Sequence, residues 1–227
     1  RTKKDEEEIK CLKEASKRTG ETIIQVMQEL EVGVTEVEVR QKLVNMLKTD
    51  SDVRAGGLVQ FGENSALPHY HGGSRKLKVD DVVLIDCGRT YNDYWGDITI
   101  TSVFGKATEG FRKVFEIVKT SNQQAKEAVI SSGIPAEIDT AARNFISEKG
   151  YGKYFTHRTG HGIGLEGHEE PYIVGSNKKP LVIGNSFTIE PGIYLPGKFG
   201  VRIEDDVIRT EDGYWSSEFP RDDLIEI

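Results

Sequence analysis

The stretch Val82-Val83-Leu84-Ile85-Asp86-Cys87-Gly88 decides the fold class. Four apolar residues in succession mark a strand covered on both faces. A carboxylate closing such a run is costly to bury unless it is paired or holds a metal. The next strand-like run opens on a second acid, Asp97-Ile98-Thr99-Ile100-Thr101. A turn at Tyr91-Asn92-Asp93 predicts a hairpin that brings Asp86 near Asp97.

Upstream of this hairpin, residues Asp5 to Leu30 read as an amphipathic helix, with Ile9, Leu12, Ile23, Val26, Met27 and Leu30 broadly at helical spacing. Thr35 with Glu38 forms a capping box for a second helix bearing Val37, Leu43, Val44 and Leu47. Strand-like runs follow at Leu58 to Phe61, Val82 to Asp86 and Ile98 to Phe104. Downstream the pattern restarts. Thr108 caps a helix through Phe111, Val114, Phe115, Val118 and Ala125 that closes near Gly133, and another runs from Ala136 to Lys149. Strands are then expected at Ser186 to Glu190, Gly192 to Leu195 and Val201 to Arg209, with Asp212-Gly213 as a turn. Two helices then strands, twice over, predicts an internal duplication and a single α/β domain over residues 1–227.

The second half repeats the unusual placement of acids. Ser186-Phe187-Thr188-Ile189-Glu190 ends an apolar strand on a carboxylate, and Val201-Arg202-Ile203-Glu204 places another on a strand. One acid at a strand end is ordinarily a turn residue or an ion-pair partner. Four acids at duplicated positions are what a two-metal site needs, where hard oxygen ligands span two cations about 3.5–4 Å apart. Three of the five histidines, His157, His161 and His168, fall in the run from Thr156 to Pro171. Glycines on both sides of His161 allow close backbone approach, and the spacing does not match a phosphate-binding Walker loop.

Over 227 residues, a hydrophobic fraction of 37% and a charged fraction of 30% describe a soluble globular chain with room for a sizeable core. No run approaches the roughly 20 apolar residues of a membrane span, and the start has no signal-peptide core. The chain opens on a charged segment, Arg1 to Lys10, without a methionine, and reads as a processed chain or a piece of something longer. A net charge of -7 argues against nucleic acid as a partner. Cys11 and Cys87 form no CxxC pattern, and the simple inference is a reducing cytoplasm.

Taken together, Gly160-His161-Gly162-Ile163-Gly164 with His168-Glu169-Glu170-Pro171, then Glu190-Pro191-Gly192, then Arg202-Ile203-Glu204-Asp205, resembles the creatinase/aminopeptidase family and its pita-bread fold. Asn64-Ser65-Ala66-Leu67-Pro68-His69-Tyr70 is similar to a segment of its proline-specific members, the proline dipeptidases and aminopeptidases P. The likeness runs from the first helix to about Gly213. It implies two pseudo-symmetric helix-helix-strand halves around a dinuclear metal site. It also implies five ligands: Asp86 on one ion, His161 and Glu190 on the other, Asp97 and Glu204 bridging. Glu190 would double as the proton shuttle for a metal-activated water. His69 and His168 would line the cleft, contact the scissile peptide and stabilise charge on the tetrahedral intermediate. His157 matches a further family histidine whose role stays open. Arg202 shares a strand face with Glu204. It either orients that residue or, as the likeness to proline dipeptidases implies, forks around the substrate's terminal carboxylate.

The implied activity is hydrolysis of the Xaa-Pro bond in dipeptides. The alternatives are an aminopeptidase P acting on longer peptides, a methionine aminopeptidase, or a pita-bread domain that only binds peptides. Four carboxylates and one imidazole favour manganese, with cobalt or zinc able to substitute. The resemblance further implies a homodimer in the full-length form and a non-catalytic N-terminal domain that this chain lacks. Gly96, Ile100 and Gly167 depart from the residues usual in proline-specific members, and all three are expected to reshape the cleft.

Overall fold

The computed structural model describes residues 2–217 and 224–227. Helix α1 (Glu6–Gln28) starts on a capping box made by Asp5 and Glu8, and α2 (Glu36–Leu47) on the one made by Thr35 and Glu38. Three antiparallel strands follow, β1 (Ala55–Phe61), β2 (Asp81–Tyr91) and β3 (Tyr94–Phe104), in that order across the sheet. The β2–β3 hairpin turns at Asn92 and Asp93, both at positive φ (47° and 70°), as a two-residue hairpin loop requires.

Helix α3 (Glu109–Ser131) begins on Thr108, whose hydroxyl accepts from Phe111 N, and α4 (Pro135–Glu148) begins with proline in its first turn. The remaining strands are β4 (Gly160–Gly162), β5 (Glu169–Ile173), β6 (Ser186–Ile189), β7 (Gly192–Leu195), β8 (Phe199–Arg202), β9 (Asp205–Thr210) and β10 (Gly213–Ser216). The second sheet runs β10-β9-β6-β4-β5, and β7 pairs with β8. Within it the antiparallel run β4-β6-β9 matches the run β1-β2-β3, so the expected duplication is present in these three strands, and β5, β7, β8 and β10 are added to it in the second half.

Each half has its own core. Beneath α1 and α2, Ile23, Met27, Leu43 and Leu47 pack on Val59, Phe61, Val83, Ile85 and Ile98. Beneath α3 and α4, Phe115, Val118, Ile138 and Ile146 pack on Phe187, Ile189, Val201 and Val207. The two sheets meet where Thr99 stands opposite Glu204, with Glu204 N donating to Thr99 O at 3.2 Å.

Three expectations change. Val201 to Arg209 is not one strand: the chain leaves β8, paired with β7, after Arg202 and joins β9, paired with β6, at Asp205. Glu204 lies in this crossing between sheets. Second, β4 and β5 were not anticipated, because a three-residue Gly-His-Gly strand with a register shift carries no apolar alternation. Third, two of the three family departures lie away from the cleft. Ile100 is buried in the first core, and an added Cβ at Gly96 would overlap the backbone of Ala15 and Ser16. Gly96 thus lets α1 press against β3, and of the three positions Gly167 lines the cleft.

Candidate metal centre and active site

Pairing across the strands builds the site row by row. Asp86 on β2 stands opposite Leu58 on β1 and Thr99 on β3, and Thr99 stands opposite Glu204. Residues opposite one another share a face, so one row carries Leu58, Asp86, Thr99 and Glu204. In the next row Asp97 stands opposite Gly88, whose missing side chain keeps space beside the carboxylate. The second half supplies His161 from β4 and Glu190 from just past β6. All five predicted ligands line one cavity of ≈ 800 Å³, together with His69, His157, His168 and Arg202.

The donor atoms converge. Asp86, Asp97 and Glu204 form one group, and His161, Glu190 and Glu204 another, with ligand atoms in each within 4.8 Å of one another. Glu204 belongs to both, and Asp97 also groups with His161 and His168. His161 Nδ1 donates to Gly162 O at 3.1 Å, which leaves Nε2 bare. That atom lies 3.4 Å from Glu190, 3.9 Å from Asp97 and 4.0 Å from Glu204. A histidine with one nitrogen tied to a carbonyl and the other facing carboxylates has the tautomer a metal ligand needs.

Electrostatics point the same way. Burial, and then the neighbouring carboxylates, push Asp97 and Glu204 well above the usual carboxylate range, and burial brings Glu190 to about 7. Burial holds His161 down at about 3, with His168 adding to the effect. A hole lined by crowded carboxylates and a neutral imidazole is short of positive charge, and divalent cations supply it. The residues present therefore fit two such ions.

Around the ligands lies a shell of hydrogen-bonded side chains. Thr99 Oγ1 donates to Glu204 Oε2 at 2.6 Å and accepts from Arg202 Nε at 3.2 Å. Asp206 accepts from Asp97 N at 3.0 Å and from Ser16 Oγ, which ties a ligand strand to α1. Arg202, 3% exposed, donates Nη2 to Asp86 at 2.5 Å and Nη1 to Tyr194 OH at 2.8 Å. The tyrosine hydroxyl donates in turn to His157 Nε2 at 2.7 Å, and His157 Nδ1 donates to Arg158 O. His157 sits at the end of this relay, held neutral at about 3 by burial and then by Arg202. His168 meets His161 edge to face, with ring centroids 4.0 Å apart. His69 lines the cavity from the exposed loop after β1. Thr99 was legible as the next same-face residue after Asp97. Tyr194, and the cavity-lining Arg40 on α2, carry no local signal.

These shifts predict how the metal-free chain responds to pH. Glu190, Asp97 and Glu204 have folded pKa values raised above their ordinary ones, so their contribution to stability is lost as pH rises through the folded values. His157 and His161 are lowered, so theirs is lost as pH falls below about 6.5. The two effects oppose each other below 6.5, and only the carboxylates act above it. Thermal stability without metal is expected to fall as pH rises above 6.5, where the histidine effect is exhausted, by about 1.4 kcal/mol per pH unit for each carboxylate still titrating. Added Mn²⁺ should remove the alkaline fall. A melting series at graded pH, with and without the ion, checks this.

A profile of metallopeptidase family M24 matches residues 10–211. An uncharacterised peptidase of Staphylococcus haemolyticus is 44% identical over 214 residues, which are 93% of this chain and 61% of that protein. The prolidase of Thermococcus sibiricus superposes with a TM-score of 0.95 at 41% identity, over 100% of this chain and 63% of its own. The X-Pro aminopeptidase of Thermotoga maritima gives 0.94 at 37%, over 100% and 65%. The chain thus spans less than two thirds of the length of these relatives. Its α/β architecture of paired halves is the pita-bread fold. With the profile covering most of the sequence and the likeness in fold extending over all of it, the chain belongs to metallopeptidase family M24.

Proposed function

We propose that this chain carries a two-metal peptidase site that hydrolyses the bond preceding proline, with Xaa-Pro dipeptides as its substrates. The observation that supports this most is the pair of ligand groups joined at Glu204 inside one cavity. Asp86 would hold one ion, His161 and Glu190 the other, and Asp97 and Glu204 would reach both. The donor set is hard, so manganese is the first choice, with cobalt or zinc as substitutes. When bound, the ions supply Lewis acidity to the scissile carbonyl and lower the pKa of the attacking water. Glu190 would take the proton of the attacking water and return it to the departing amine. His168 and His69, which line the cavity, would donate to the oxygen that gains charge. Two free cysteines, Cys11 and Cys87, suit a reducing cytoplasm. By the same reading the full-length protein is a homodimer, which sedimentation tests.

A panel of Xaa-Pro dipeptides, Xaa-Pro-Yaa tripeptides and proline-free controls, run with and without added Mn²⁺, tests the assignment. Preference for the dipeptides is the expected result, and no hydrolysis of any Xaa-Pro bond would sink it. One observation favours a second reading, an aminopeptidase acting on longer peptides. The Arg202 fork, a candidate for the substrate carboxylate, is already engaged by Asp86, Tyr194 and Thr99. Arg202→Lys keeps the charge but loses the fork. If the guanidinium works by holding Asp86, kcat/KM should fall by similar factors for dipeptides and tripeptides, which would favour the second reading. A loss of about 1–3 kcal/mol confined to dipeptides would instead assign the fork to the substrate.

A further inference from the structure

The loop between β1 and β2 carries Pro68, His69 and His71 into the cavity, and its anchoring is unlike that of an ordinary surface loop. Gln60, fully buried on β1 and on the same face as Leu58, donates Nε2 to Leu67 O at 2.7 Å and to Tyr70 O at 2.6 Å. One amide thus holds the two carbonyls that flank Pro68 and His69. Its Oε1 is buried without a partner among the described residues. An unmatched buried acceptor is destabilising, and an apolar side chain of similar length would avoid it.

A second clamp closes the base of the loop. Glu36, also fully buried, accepts from Phe61 N and Gly73 N at 2.8 Å each, and from Asn64 Nδ2 at 2.9 and 3.1 Å. Between the clamps Gly72, at φ +83°, passes so close to Val59 O and Glu36 that a Cβ would overlap them. The loop is therefore drawn onto β1 and α2 at both ends and at its crest. The crest is where His69 sits.

We propose that Gln60, supported by Glu36, is a positioning residue that fixes His69 in the cavity for the reaction. This rests on the reading of His69 as a substrate-contacting group. The test is a double-mutant cycle of Gln60→Met and His69→Ala on an Xaa-Pro dipeptide at matched metal content. It is joined to amide hydrogen exchange of the segment 67–73. Gln60→Met should lower kcat by about tenfold or more in the wild-type background and by less than about twofold when His69 is already Ala. Exchange should speed up in the segment 67–73 and stay unchanged in the two cores.

Equal losses in both backgrounds would overturn the proposal, because a general packing defect costs the same whether or not His69 is present. If His69→Ala alone leaves turnover intact, it is the reading of His69 that fails. Unchanged exchange in the segment 67–73 overturns the tether itself, whatever the activity. Should Gln60→Met fail to fold, Gln60→Asn, whose shorter amide cannot span both carbonyls, is put through the same measurements.

Discussion

Removing the divalent ions with a chelator is expected to abolish peptide hydrolysis, and Glu204→Gln is expected to strip both ions at once. The reason is the shared position of this residue. Glu204 stands in the ligand group with Asp86 and Asp97 and also in the one with His161 and Glu190. An amide in its place offers one neutral oxygen where a carboxylate offers two anionic ones. His161, on one ion only, makes a useful contrast: His161→Ala should weaken one ion more than the other. Metal analysis of the purified variants, followed by titration back with Mn²⁺, measures both effects. Full activity in metal-stripped protein would sink the two-metal assignment.

The second large effect is expected at Glu190. Glu190→Gln keeps the size and one coordinating oxygen but removes the basic site, so the rate constant should fall by a factor of about 10² or more. The fall should appear in kcat, with binding of a non-hydrolysable substrate analogue little changed. Near-normal turnover with metal bound would place the base elsewhere. Asp97 and Glu204 are also raised by burial, but each belongs to two ligand groups. Glu190 belongs to one, and it accepts only a long bond, 3.3 Å, from Thr188 Oγ1. That leaves it the freest of the buried acids to exchange a proton.

How much of this could be read before the structure depends on whether the signal was local. The hairpin bearing Asp86 and Asp97 was legible because the apolar run and the turn at Asn92-Asp93 are adjacent in sequence. The capping boxes at Thr35 and the start at Thr108 were legible for the same reason. The sheet crossing at Ile203-Glu204 was not, since alternation continues through it and only the choice of partner strand changes. His161 was singled out through the family resemblance of its glycine-rich run, but the short strand it lies on was invisible. Tyr194, Asp206 and Gln60 act on residues far along the chain, and no spacing rule connects them.

The seam at Thr99 and Glu204 has a consequence for how the molecule comes apart. Most of each core comes from its own half, with Leu12, Ile163 and Ile208 clustered across the seam, so each half can behave as a cooperative unit in hydrogen exchange. Across the seam carboxylates from one half face carboxylates from the other, and as they lose their protons they push the units apart. Ions held by both halves would reverse that sign and act as a rivet. The metal content would then set whether the domain melts in one step or two. Calorimetry should show a single transition with Mn²⁺ in excess, its midpoint rising with the ion's concentration, and two resolved transitions once the ions are gone.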